Sequence, residues 1–312
     1  MVRIDELSLK NSDPGVSNRK LGLIYGLIGV IIFGGTLPAT RIAVGIFDPW
    51  FVTFGRALLA SLVAILFLLV LKRRFPREHG IMLAIAGLFV VVGFPGFMGL
   101  AMLTLPSAHG GVVLGILPLA TAIFAALIAG ERPSPMFWFW GVLGTILVCI
   151  FALRDSGGAN ASEGSGGFGF AFGDFWLLLA AICASCGYVI LAKLSRHMSG
   201  WEAISWALVV TIPISIVGSL LTWNNRYFEA SNLEFWAFVY LGLFSMYLGF
   251  FAWNTGLQMG GVSRVGQLQL LQTFVTLAIA SLLLGEEVSM ETIGFALVVL
   301  VVIVLGQRAR VE

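Results

Sequence analysis

The chain has 312 residues, 59% of them hydrophobic and only 11% charged, with a net charge of +2 and a mean hydropathy of +0.98. Soluble domains carry about 45–50% apolar and about 25% charged residues, and a soluble fold of this length cannot hide so much apolar surface. Composition therefore excludes a soluble enzyme or binding domain and indicates an all-α integral membrane protein; the small charge excess, spread over short loops, implies no nucleic-acid partner.

Residues 1–20 are polar and of mixed charge, too long for the basic start of a cleavable leader, and are expected to form a disordered tail. A membrane-crossing helix needs about 20 apolar residues. The apolar runs predict ten spans: 21–41, 50–71, 80–103, 107–129, 136–153, 174–194, 202–222, 234–258, 262–284 and 290–307. Residues 154–173, rich in Gly, Ser and Asn, behave as a flexible linker between spans five and six.

With the N-terminus inside, the cytoplasmic segments hold Arg3, Lys10, Arg19, Lys20, Lys72, Arg73, Arg74, Arg77, Arg132, Lys193, Arg196, Arg264, Arg308 and Arg310. The opposite side holds only Arg41, Arg154 and Arg226. By the positive-inside rule both termini are cytoplasmic, the linker is external, and the span number is even.

Two segments punctuate the chain alike. Gly130-Glu131 and Gly285-Glu286 each follow a long apolar run and precede another, half a chain apart. Gly35-Thr36 near the end of span one corresponds to Gly187-Tyr188 in span six, Arg41 to Lys193, and Trp50 to Trp201. The pattern divides the chain into repeats at 21–153 and 174–307, followed by a short cytoplasmic tail at 308–312. Five spans per repeat is odd, so the halves are inverted, the architecture that supports alternating access in secondary transporters.

No Asp or Glu falls near the middle of any span, which disfavours proton- or sodium-driven cation exchange through a buried carboxylate. Span nine carries Gln269, Gln272, Thr273 and Thr276 on one face; such a stripe either joins helices or lines a cavity. Span eight shows a stripe of Tyr240, Phe244, Tyr247, Phe251, Asn254 and Gln258, with Trp253 beside it, expected to run into the cavity at Asn254. Gly93-Phe94-Pro95-Gly96 interrupts span three, either a plain kink or backbone exposed to a ligand. Arg56 lies about two turns into span two. It either snorkels to the interface or caps carbonyls, the reading its position favours, or anchors an anionic substrate group. His109 reads as a satisfied interface histidine, and Cys183-Ala-Ser-Cys186 as small packed residues rather than a redox or metal motif. No nucleophile–base spacing and no His cluster suggest an enzyme.

These residues together resemble the EamA-type branch of the drug/metabolite transporter superfamily. The stretch from Phe33 through Thr36 and Arg41 to Asp48-Pro49 and Arg56 is similar to that family's first-to-second-helix pattern, with Phe33 where a Trp is usual. Gly130-Glu131 and Gly285-Glu286 resemble its repeated Gly-Glu helix ends; Thr273 stands where helix nine often has Pro. The resemblance covers Leu21 to Gln307 and implies a cavity lined by helices one, three, four, six, eight and nine. It also implies export or facilitated movement of small metabolites, often amino acids, across a prokaryotic inner membrane. Thr36, Phe94, Tyr188, Trp253, Asn254, Gln269 and Gln272 are the expected substrate-binding set, and Arg41, Arg56, Lys193, Glu131 and Glu286 the expected structural or gating set. No cofactor or metal is expected. The expected partners are a small-molecule substrate and the lipid bilayer; the sequence leaves the oligomeric state open, and a membrane enzyme, a scaffold or a drug exporter are the competing readings.

Overall fold

The structure is a computed structural model that describes residues 16–129, 134–159, 171–195, 197–260, 265 and 267–309. Glu131, Arg132, Arg196, Arg264 and most of the linker lie outside the described residues. Among the described residues every regular element is helical: α1 (Val16–Gly34), α2 (Thr36–Ala43), α3 (Pro49–Val70), α4 (Gly80–Gly87), α5 (Phe94–Ala101), α6 (Ser107–Val113), α7 (Leu117–Ala129), α8 (Pro135–Ala159), α9 (Phe172–Leu194), α10 (Gly200–Leu221), α11 (Asn232–Tyr240), α12 (Gly249–Gly260), α13 (Gln272–Leu284) and α14 (Met290–Ala309). Among the described residues six stretches are long and apolar enough to cross a membrane: Lys20–Ala43, Pro49–Val70, Arg77–Ala101, Phe172–Leu194, Gly200–Leu221 and Asn232–Gly256. Shorter apolar helices occupy Ser107–Ile116, Trp138–Phe151, Leu268–Leu284 and Met290–Val302. Leu66, Leu69, Leu220, Leu221 and Leu282 point outward and are each more than half exposed, the surface of a bundle whose solvent is lipid.

The ends of the helices follow from local chemistry. Asp48 caps α3, its carboxylate accepting from Trp50 N at 2.8 Å and Phe51 N at 3.3 Å, with Pro49 in the first turn where no N–H is needed. Ser231 and Glu234 form a reciprocal capping box at the start of α11. α13 ends at Gly285, whose φ of +64° only glycine adopts without strain, and this turn aims Glu286 back at the bundle.

The long stretches are not regular throughout. α1 and α2 are separated by a break at Gly35. Pro38 has no N–H and its ring crowds the carbonyl four residues earlier, which leaves Gly34 O without an intrahelical donor. Thr276 of α13 donates its hydroxyl to that carbonyl at 2.9 Å, and Tyr240 donates to Ile32 O at 2.6 Å. α4 and α5 are joined by a π-helical segment, Leu88–Gly93, just before Pro95; α11 and α12 are joined by another, Leu241–Leu248. The 3-10 segments Leu114–Ile116 and Gln267–Leu271 precede α7 and α13.

The helices pair α3 with α10, α8 with α14, α6 with α13, α1 with α12, and α9 with α4–α5. This set is unchanged when first-half and second-half helices are exchanged. The α1–α12 contact depends on small residues: a Cβ on Gly256 would lie 2.6 Å from Gly26 N, the close backbone approach that small-residue helix interfaces allow.

Candidate functional site

The breaks and π segments converge on one cavity, about 550 Å³ with the open space at its mouth included. The first half contributes Phe33, Thr36, Arg56, Phe94, Pro95 and Met98 to its walls; the second contributes Tyr188, Ser245, Met246, Phe250, Gln269 and Gln272. A second cavity shares Leu37, Leu114, Leu117, Gln269 and Gln272 with it and continues towards Thr273, Thr276 and Val299. Five of the seven residues expected to contact substrate (Thr36, Phe94, Tyr188, Gln269 and Gln272) thus line one space.

Trp253 and Asn254 are not in that lining. The backbone of Trp253 packs on Gly29 of α1, and Asn254 packs on Gly200 at the start of α10. The reason is the π segment Leu241–Leu248, which fits an extra residue into each turn and rotates everything after it relative to the α-helical stripe. Tyr247 accordingly turns to α10, its hydroxyl 3.0 Å from Ser205 Oγ, and Phe251 meets Phe67 of α3. The cavity wall from this stretch is built instead by Ser245, Met246 and Phe250, none of which the sequence reading singled out.

The charged group in the lining is Arg56. Its side chain does not snorkel: Arg56 is 3% exposed and faces the cavity from about two turns into α3. Nη2 donates to Ser245 Oγ at 3.1 Å, and Ser245 Oγ lies 2.8 Å from Thr36 Oγ1. Nε and Nη1 are buried without a hydrogen-bond partner. An unpaired arginine at membrane depth costs about 2.5–3.5 kcal/mol on insertion scales, so its position calls for a compensating role. Aromatic rings line the same cavity: Phe33 and Phe250 meet edge to face at 5.1 Å, and Tyr188 meets Phe250 at 6.3 Å.

On the linker side, contacts tie the halves together. Glu286 accepts from Ser107 N at 2.9 Å, Ser107 Oγ at 2.9 Å and Ala108 N at 2.8 Å. A carboxylate from one Gly-Glu segment thereby caps the N-terminus of α6 in the other half, where free N–H groups and the helix dipole favour a negative charge. His109 and Asp174 form a buried pair at 2.6 Å, with the His109 ring stacked on Phe151. Arg41 donates to Met102 O, and Lys193 lies in the last turn of α9. Cys183 and Cys186 are free and buried, and no group of His, Cys, Asp or Glu able to hold a metal occurs among the described residues.

Comparison with known proteins gives a consistent picture. The model of the EamA-like transporter family matches twice, over residues 20–153 and 171–306. The uncharacterized transporter YdeK of Bacillus subtilis (strain 168) is 39% identical over 288 residues, covering 92% of this chain and 97% of the relative. The aromatic amino acid exporter YddG of Ancylobacter novellus is 27% identical over 268 residues, covering 80% of this chain and 84% of the relative. A solved crystal structure, 21% identical, superposes with a TM-score of 0.60 over 94% of this chain and 98% of that one, which concerns the fold alone.

Proposed function

The chain belongs to the EamA-like transporter family, and we propose that it is a ten-helix carrier of small zwitterionic or neutral metabolites, foremost amino acids and their aromatic analogues. The family is one of membrane transporters and its relatives are named as such, which sets aside the enzyme and scaffold readings. The carrier works by alternating access between inverted repeats at 21–153 and 174–307, with residues 154–173 external and both termini in the cytoplasm of a prokaryote. The exchange-invariant pairing of the helices supports the repeats, and the Lys/Arg distribution supports the orientation.

One observation carries the reading: a cavity at the junction of the halves, walled by Thr36 and Phe94 from one and by Tyr188, Gln269 and Gln272 from the other. Substrate sites of inverted-repeat carriers lie at that junction. Amide and hydroxyl groups face the polar part of a ligand, and Phe33, Phe94 and Phe250 face an apolar part. The name of the Ancylobacter relative adds support for aromatic amino acids. Among the described residues the cavity lining includes an arginine and no carboxylate, which opposes a drug or organic-cation exporter and favours transport without a buried carboxylate as coupling site. Counterflow of labelled amino acids into liposomes holding purified protein, with no ion gradient imposed, tests the reading. Exchange is expected; movement only under a proton or sodium gradient would overturn the uncoupled mechanism, and no movement of any amino acid would overturn the substrate class.

A further inference from the structure

Arg56 is the one residue in the cavity wall whose burial the rest of the fold leaves unexplained. Its side chain is 3% exposed, and among the described residues its one hydrogen bond runs from Nη2 to Ser245 Oγ. Nε and Nη1 have no partner, and no carboxylate pairs with the guanidinium among the described residues. Its electrostatic neighbours are the phenols of Tyr188 and Tyr240, neutral groups that cannot balance it. Buried charges are as a rule paired, and a buried donor without a partner calls for one outside the protein.

We infer that Arg56 is a substrate anchor that takes the carboxylate of the transported molecule, so that the carrier selects monocarboxylates and among them amino acids. This rests on the carrier reading and adds to it the group by which substrate is held. The guanidinium presents its donors in a fixed planar fork that fits the two oxygens of a carboxylate. Thr36 and Ser245 are linked at 2.8 Å beside it; one hydroxyl donates to the other, and the second keeps its proton to donate to the same anion. A single cation matches a single negative charge; a phosphate ester, a dianion in much of the neutral range, would require a second. The rings of Phe33 and Phe250 in the same lining offer apolar surface to a hydrophobic side chain.

Sequence position alone hid this. Two turns from a span end, an arginine has the reach to snorkel, but Ser245, on a π segment 189 residues away, holds it inward.

The test compares matched ligands on purified protein in lipid nanodiscs: L-phenylalanine against L-phenylalaninamide, L-leucine against L-leucinamide, and phenyl phosphate. Charge-assisted hydrogen bonds at about 1.5–3 kcal/mol correspond to a preference of about tenfold or more for carboxylate over amide in the parent. In Arg56→Gln the preference should vanish, in Arg56→Lys part of it should return, and Leu66→Ala on the lipid face should keep all of it. Amides binding as well as carboxylates in the parent, no carboxylate binding at all, phenyl phosphate binding more tightly than phenylalanine, or an undiminished preference in Arg56→Gln would each overturn the anchor. Should Arg56→Gln not fold, the parent comparison and Arg56→Lys decide. Counterflow on the same preparations separates the two ideas. Carboxylate-selective binding without exchange sinks the carrier and keeps the anchor, whereas exchange without carboxylate preference does the reverse.

Discussion

Thr276→Val tests how the break in the first membrane stretch is held open. Pro38 strips Gly34 O of its donor, and Thr276 Oγ1 replaces it at 2.9 Å in a place where Thr276 is 1% exposed. Valine keeps the shape and removes the donor. A buried carbonyl left unsatisfied costs about 1–3 kcal/mol, and interhelical hydrogen bonds in a membrane average about 0.6 and reach about 1.7 kcal/mol. The expected destabilisation is therefore roughly 1–2 kcal/mol. Pro38→Ala supplies a new N–H to Gly34 O from within the helix, alongside the existing bond from Ala39 N to Gly35 O at 3.0 Å. The double variant should then recover most of the loss, with a coupling of about 1 kcal/mol. Reversible unfolding of the four proteins of the cycle in mixed detergent measures it. A loss below about 0.5 kcal/mol for Thr276→Val, or simple additivity of the two changes, would refute the assignment of Thr276 as the replacement donor.

Glu286→Ala removes three hydrogen bonds from the start of α6; a loss of roughly 1–2 kcal/mol is expected for this partly exposed carboxylate, and an unchanged melting temperature would contradict it. Asp174→Ala removes the buried 2.6 Å contact to His109 and should cost about 1–3 kcal/mol, read as a fall in thermal stability; a stability close to the parent's would mean the pair is incidental. Gly256→Val places side-chain atoms into Gly26 N and Gly22 O and should separate α1 from α12, whereas Gly294→Val, which meets nothing within 4 Å, should be neutral; equal stability of the two would refute the close packing. Reporter fusions at both ends and within 160–170 should report cytoplasmic termini and an external linker; an external C-terminus would remove the inverted ten-helix topology.

The helices were legible because an apolar run long enough to span a bilayer has little alternative to a helix. The runs at 50–71, 174–194 and 202–222 coincide within two residues with Pro49–Val70, Phe172–Leu194 and Gly200–Leu221. The cavity residues were legible where a polar group or a Gly/Pro interruption stood out against that background, as at Thr36, Phe94, Tyr188, Gln269 and Gln272. Asn254 packs on Gly200 outside that lining, and a π segment carries no sequence mark as plain as proline: Leu241–Leu248 contains only Gly242 as a hint. A stripe extrapolated at α-helical spacing through it arrives on a different face. Partnerships across long sequence separation were equally invisible. Ser107 with Glu286, His109 with Asp174, and Arg56 with Ser245 join residues 179, 65 and 189 positions apart, and no local pattern encodes them.

The central claim is that substrate crosses through the cavity between the two halves, and counterflow rates of two amide variants compared side by side test it most directly. Gln269 lines the cavity while Asn254 packs on Gly200 outside it. Gln269→Ala should slow phenylalanine exchange several-fold, in keeping with a lost hydrogen bond of about 0.5–1.5 kcal/mol, while Asn254→Ala stays near the parent rate. Parent-like exchange by Gln269→Ala, or a larger loss in Asn254→Ala at equal folded protein, would contradict the account.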